Sequence, residues 1–394
     1  MASYYILKPL RDAYFLHAQD IRQVALVQIV VALVTFLTVQ VYAALTRRVP
    51  GRRIATWAFG SFVLTVVALW GVLKSGAHEA HHVAFVWFLY VWVSVFSVFA
   101  VTLFWSIAHD IFTPAEGSRY YGIIGAAGIL GGFVGGLVTS MIVETIGLPN
   151  LFLASAALLV PCVAIAAVLA ARAPSLGRSK DQRPAGEVSA LGVFRGSAYL
   201  RAIFVYVFLY QAVSIVVDQQ TKLIVKQAFQ TEESLAGFQA RIYAATNIIG
   251  TVVNLAVTGF VQTRFGPMPG LLVLPLCAVV AAVGFHVMPT IRFAAVVTTL
   301  GLAAGYSIQQ SSKELLYLPV PSADRYVAKA FIDTFGFRLG NGLTSVWLFL
   351  AVPALGGLDA CGAMALCAAG MVACALWLVP RHRAMVATSA TPAR

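Results

Sequence analysis

The chain has 394 residues, 60% of them hydrophobic and only 11% charged, with mean hydropathy +0.85 and formal net charge +12. That composition excludes an ordinary soluble domain. The positive charge gathers in alternate loops, as the positive-inside rule requires, so it gives no case for a nucleic-acid partner.

A spanning helix needs about 20 apolar residues, and the sequence predicts eleven such runs preceded by one short one. Residues 1–16 form the short run, which also carries Lys8, Arg11 and Asp12. Sixteen helical residues reach roughly 24 Å, less than a ~30 Å hydrocarbon core. The expectation is therefore a truncated first helix, with the true start upstream of Met1. Helix two is expected over about 23–45, followed by the basic turn RRVPGRR, then helix three over about 54–73. After the loop KSGAHEAHH come helix four (about 83–108), the polar loop HDIFTPAEGSRYYG and helix five (about 121–144). Helix five is glycine-rich, and Gly128, Gly132 and Gly136 fall at i, i+4 and i+8, a spacing that lets another helix backbone approach closely. Helix six closes the first half at about 150–171.

Residues 172–200 read as a basic, Pro-, Gly- and Ser-rich linker. The expected domains are a six-helix half over 1–171, this cytoplasmic linker, a second six-helix half over 201–380, and a basic tail over 381–394. The second half has helices near 202–226, 238–261, 269–288, 291–310, 328–352 and 360–379. Only Arg22, Lys74, Lys226 and Arg292 fall on the side opposite the linker, which places both termini in the cytoplasm. Arg119-Tyr120 before helix five echoes Arg325-Tyr326 before helix eleven. Two six-helix halves joined by a cytoplasmic linker make the parallel-repeat layout of a major facilitator transporter, an all-α membrane bundle.

Charges within the apolar runs mark the expected pathway. On helix seven, Gln211, Ser214, Asp218 and Lys222 follow a helical stripe, with Asp218 and Lys222 paired at i, i+4. The same spacing predicts Lys8 with Asp12 and Lys329 with Asp333. Six cations in or just inside the apolar runs (Lys8, Arg11, Lys222, Arg241, Lys329 and Arg338) stand against three anions (Asp12, Asp218 and Asp333), so Lys8, Arg11, Lys222 and Arg338 are the candidate contacts for an anionic solute. Asp12, Asp218, Lys329 and Asp333 are candidate charge-pair or coupling residues. His78, Glu79, His81 and His82 sit in a short loop without the helical framework of a zinc hydrolase. The five cysteines have no metal-type spacing and read as small apolar residues. No metal, cofactor or enzyme activity is expected.

The segments YYILKPLRD (Tyr4 to Asp12), FWSIAHDIFTPAEGSRYYGIIGAAG (Phe104 to Gly128), VVDQQTKLIV (Val216 to Val225) and KELLYLPVPSADRYVAKAFIDTFGFRLGN (Lys313 to Asn341) carry a resemblance. Together they resemble the ATP/ADP antiporter family, in its major-facilitator-like branch of free-living bacteria. The resemblance implies nucleotide exchange across the bacterial inner membrane by alternating access. Its helix-one cation maps to Lys8 or Arg11, and its helix-eleven Lys and Asp map to Lys329 and Asp333. Two positions depart from the pattern: Val93 replaces a Glu, and Gly340-Asn341-Gly342 replaces Gly-Lys-Ser. A non-nucleotide solute is therefore an alternative, as is a non-transporting sensor or scaffold on the same fold. The expected partners are membrane lipid and a small anionic solute, with the protein a monomer.

Overall fold

The computed structural model describes residues 1–46, 51–111, 114–172, 194, 196–321, 328–329, 331–350 and 357–390. Arg47 to Pro50, linker residues 173–193, Ser322 to Arg325 with Tyr326, and the last four residues lie outside the described residues, as do the side chains of Arg119 and Tyr120.

All regular structure among the described residues is helical. The first six helices are α1 (Ala2–Ala18), α2 (Ile21–Thr46), α3 (Gly51–Lys74), α4 (His82–Ile111), α5 (Pro114–Ile146) and α6 (Leu148–Arg172). They are followed by α7 (Ala198–Ala228), α8 (Glu232–Phe265), α9 (Met268–Val287) and α10 (Ile291–Tyr317). The last two are α11 (Phe337–Leu350) and α12 (Gly357–Ala390). Three π-helical segments interrupt the second half: Val253–Thr258 inside α8, Gly305–Gln309 inside α10, and Ile332–Gly336 leading into α11.

Several boundaries move outward from the sequence reading. The polar stretch expected as a loop before helix five is helical up to Ile111 and again from Pro114. Lys313 and Glu314, expected at the head of a loop, belong to the last turns of α10. The start of the expected tail continues α12 to Ala390. In each case the helix runs past the point where hydropathy falls, so that fall does not mark the end of the helix. Two sharp junctions need glycine. Gly147 at φ +76° separates α5 from α6, and Gly266 at φ +73° ends α8 ahead of Pro267. Such left-handed residues terminate helices at little cost only when they lack a Cβ.

Among the described residues, ten helices are long and apolar enough to cross a membrane. Those that fall short are α1, only 17 residues long, and the π-interrupted stretch leading into α11. These two carry Lys8, Arg11 and Asp12, and Lys329, Asp333 and Arg338. The polarity of the fold is inverted relative to a soluble protein. Leu33, Phe36, Leu37 and Val41 on α2 are 58–65% exposed, while Arg11, Asp12 and Lys222 are buried. Exposed apolar stripes of this kind suit a lipid solvent.

The chain divides into two compact units. The first comprises Met1–Ser179 with Val225–Ile248, and the second Lys180–Ile224 with Ile249–Arg394. The core of the first unit is built on Leu10, Phe15, Tyr90, Phe96 and Phe152, and it takes in Val225, Leu235 and Ala236 from the second half of the sequence. Within it, α5 packs by its glycines. A Cβ on Gly132 would come within 2.8 Å of Asn247 and Tyr5, and one on Gly136 within 2.9 Å of the Ala240 carbonyl. A Cβ on Gly135 would run into the Ala2 carbonyl oxygen. At Gly128 the nearest neighbour would be Met1 Cγ at 3.7 Å, an ordinary contact.

Candidate functional site

In the first unit the polar groups gather on α1. Asp12 is fully buried and Arg11 is 6% exposed. Arg11 Nε and Nη2 donate to Asp12 Oδ1 at 3.0 and 2.8 Å, and Nη1 donates to Ser94 Oγ at 2.9 Å. The guanidinium also lies over the Tyr90 ring, 4.2 Å from its centroid. Tyr243 from α8 donates its hydroxyl to Asp12 Oδ2 at 3.2 Å. Every nitrogen of Arg11 is thus engaged, so this residue, expected as an anion contact, is held inside the bundle.

The expected i, i+4 pair of Lys8 with Asp12 is not what forms. Asp12 takes Arg11, whose planar fork satisfies one carboxylate oxygen twice. Lys8 turns instead toward aromatic faces. Its ammonium lies 3.9 Å from the Tyr243 ring centroid and 5.9 Å from those of Tyr4 and Tyr5. Lys8 is half-buried and has no ion-pair partner among the described residues. Tyr243 therefore does two things: its ring faces the Lys8 ammonium and its hydroxyl meets Asp12. Sequence reasoning missed it because it lies 231 residues from Asp12 with no local signal.

The second unit holds the other candidates. Asp218 and Lys222 on α7 pair at 2.9 Å as their spacing predicts, with the Lys222 side chain 4% and that of Asp218 41% exposed. Gln211, the first member of the same stripe, is buried, and Ser214 donates back to the Tyr210 carbonyl. The predicted pair of Lys329 with Asp333 does not form. Lys313 bonds Asp333 at 2.9 Å, and Lys329 bonds Glu314 at 2.5 Å. The π-helical segment Ile332–Gly336 explains the exchange. A π turn places an extra residue in the helix, so Asp333 no longer follows Lys329 on the same face. Both partners come instead from the last turns of α10, where Gln310 also donates to Glu314 at 3.2 Å. The signal was present in the sequence as adjacent opposite charges, Lys313-Glu314, facing another cation and anion across one turn.

Arg338 in α11 is half-buried and has no ion-pair partner among the described residues. Among the described residues no cluster of three potential metal ligands occurs. The histidine loop forms a short 3-10 turn, Glu79–His81, with exposed side chains.

Comparison with known proteins agrees with this architecture. Two curated relatives, the ADP,ATP carrier protein 1 of Chlamydia trachomatis and that of Chlamydia muridarum, are 23% and 22% identical over 288 residues. The match covers 62% of this chain and 54% of each relative, so the chain spans about half the length of the curated relatives it matches. Among solved structures, a bacterial homologue of the iron transporter ferroportin, in an inward-facing state, superposes with TM-score 0.62 at 12% identity, over 95% of this chain and 96% of that one. The nucleoside transporter NupG gives TM-score 0.61 at 14% identity, over 98% of this chain and 97% of that one. The Escherichia coli fucose:proton symporter FucP gives 0.55 at 14%, over 95% and 96%. These likenesses establish the fold. The sequence profile of the Major Facilitator Superfamily matches residues 1–312, and the chain belongs to that superfamily.

Proposed function

We propose that the protein carries an anionic solute of nucleotide type by alternating access. The observation that supports this best is Lys8, a half-buried ammonium with no ion-pair partner among the described residues, faced by Tyr243, Tyr4 and Tyr5. A cation over aromatic faces is held in place without being neutralised. Its charge is left uncompensated for an incoming anion, while the half-buried Tyr4 ring offers stacking surface to an aromatic base. The nucleotide and nucleoside named for the relatives fit that pairing of charge and ring. Lys8 is then the anion contact of the first unit, and Arg338 is the candidate cation of the second. Arg11 pairs with Asp12 and ties α1 to α4 through Ser94, Lys222 pairs with Asp218 along α7, and the pairs that the end of α10 makes with Lys329 and Asp333 are coupling elements. The expected setting is the inner membrane of a bacterium, with both termini cytoplasmic and the protein acting as a monomer.

The test is uptake of labelled ATP or ADP by proteoliposomes loaded with unlabelled nucleotide. Saturable uptake that needs internal nucleotide, and falls at least tenfold in Lys8→Gln, is the expected result. Folded protein that takes up no nucleotide would sink the nucleotide reading. Val93 and the Gly340-Asn341-Gly342 segment favour, as a second reading, an anionic solute that is not a nucleotide. Competition of uptake by a panel of sugar phosphates and carboxylates separates the two.

A further inference from the structure

Tyr243 stands between two charges that the sequence spaces as a pair. Lys8 and Asp12 lie four residues apart on α1, the separation at which an ammonium and a carboxylate on one helix can meet. A single tyrosine from α8 meets both of them instead. Its ring centroid lies 3.9 Å from the Lys8 ammonium, and its hydroxyl donates to Asp12 Oδ2 at 3.2 Å. Arg11 Nε and Nη2 serve the other oxygen, Oδ1, at 3.0 and 2.8 Å. Each oxygen of Asp12 thus has a donor, and no ion pair joins Asp12 to Lys8. Tyr243 is 7% exposed, and the Tyr5 ring packs edge to face against it, 6.0 Å between centroids.

Asp12 is fully buried. A buried carboxylate oxygen that loses its donor is costly to leave unmet, and the ammonium one turn away is the group that would answer it. The Tyr243 hydroxyl removes that pull. The Tyr243 ring attracts the same ammonium without neutralising it. One side chain therefore acts on both members of the pair: the hydroxyl occupies the carboxylate, and the ring holds the lysine.

We infer that Tyr243 is a positioning residue for transport: it keeps Lys8 from pairing with Asp12, and so keeps the ammonium available to an anionic solute. The inference rests on the transport reading above. It adds to that reading a residue that no spacing in the sequence selects.

The experiment is reductive methylation of the purified full chain with formaldehyde and cyanoborohydride, with the rate at Lys8 read by mass spectrometry of its peptide. Only the neutral amine reacts, and a carboxylate partner favours the charged form. Tyr243→Phe keeps the ring and loses the hydroxyl. It is expected to slow methylation of Lys8 about tenfold and to weaken ATP several-fold in a thermal-shift titration, while its ligand-free melting temperature confirms the fold. In the background Arg11→Met/Asp12→Leu no carboxylate is left for Lys8, and adding Tyr243→Phe there should change neither the rate nor the ATP response. Lys8 that methylates at the wild-type rate in Tyr243→Phe overturns the inference. So does a slowing of the same size in the background without Asp12, which would make Tyr243 a packing residue only. Slower methylation that depends on Asp12, with no response of the wild type to ATP, would keep the positioning of Lys8 and overturn the nucleotide reading. A wild-type response to ATP, with methylation unchanged in Tyr243→Phe, would do the reverse.

Discussion

Replacing Asp12 by Asn gives the sharpest test of how the first unit is held together. Asp12 is fully buried, and Arg11 beside it is 6% exposed, with two of its three hydrogen bonds on one Asp12 oxygen. Removing one partner of a buried ion pair leaves a charge that neither water nor protein compensates, at about 3–5 kcal/mol. At roughly 2 °C per kcal/mol for a large domain, the melting temperature of Asp12→Asn should fall by roughly 6–10 °C. Arg11→Met should also destabilise, though by less, because Lys8, one turn away, is left to meet the Asp12 carboxylate in its place. The double variant Arg11→Met/Asp12→Leu removes both charges together, and apolar replacement of a whole buried pair is often neutral or stabilising. It should therefore recover most of the loss. The assay is thermal unfolding of the detergent-purified protein, followed by tryptophan fluorescence, for the wild type and the variants. Single variants that lose less than about 1 kcal/mol, or a double variant whose loss equals the sum of the singles, would refute the account of Arg11 as a structural cation. Uptake then separates the roles. A folded double variant that still transports removes Arg11 from the solute path.

Three further outcomes follow from the geometry. Lys313→Met should destabilise more than Lys329→Met, because the Lys313 and Asp333 side chains are 10% and 28% exposed while those of Lys329 and Glu314 are 42% and 36%; a partly buried pair costs more to break than an exposed one, and equal shifts in thermal unfolding would contradict this. Gly135→Ala should cost about 1–3 kcal/mol by forcing α5 away from the Ala2 carbonyl, whereas Gly128→Ala, with its nearest neighbour at 3.7 Å, should be neutral or stabilising by up to about 1 kcal/mol through helix propensity; the same thermal assay reads both, and a reversed order would refute the packing. Asp218→Asn should leave membrane insertion intact but cut uptake several-fold, since it removes the carboxylate charge beside the buried Lys222 ammonium; uptake at the wild-type rate would take Asp218 out of the mechanism.

The bundle was legible because its information is one-dimensional. Apolar runs of spanning length, basic turns and a polar linker are written along the chain, and no long-range contact is needed to read them. Side-chain partnerships were legible only where the helix between the partners is regular. Asp218 and Lys222 lie on an uninterrupted turn of α7, and their i, i+4 spacing names the pair. Lys329 and Asp333 have the same spacing, but the π turn Ile332–Gly336 lies across it, and no residue in IDTFG announces a π turn. Lys8 and Asp12 have the right spacing within α1, and there the competitor decided the outcome: Arg11 reaches Asp12 twice, and Tyr243 arrives from α8 to face the lysine. The glycines of α5 make the same point about packing. The sequence offers two interleaved series four apart, Gly128-Gly132-Gly136 and Gly131-Gly135, and spacing alone cannot choose between them.

The charges that resisted local pairing are also the ones left for a solute. A carboxylate four residues away would have neutralised Lys8 and made it another structural bridge. Because Arg11 occupies Asp12, the ammonium keeps its charge, and the tyrosines hold it without cancelling it. Arg11 would then serve transport without touching the solute, by occupying the carboxylate that would otherwise quench Lys8. On that argument, Arg11→Met should allow Lys8 to fall back onto Asp12 and should depress uptake by a route that Arg11→Met/Asp12→Leu reverses. Failure of the double variant to restore uptake, while its stability recovers, would place Arg11 in direct contact with the solute instead.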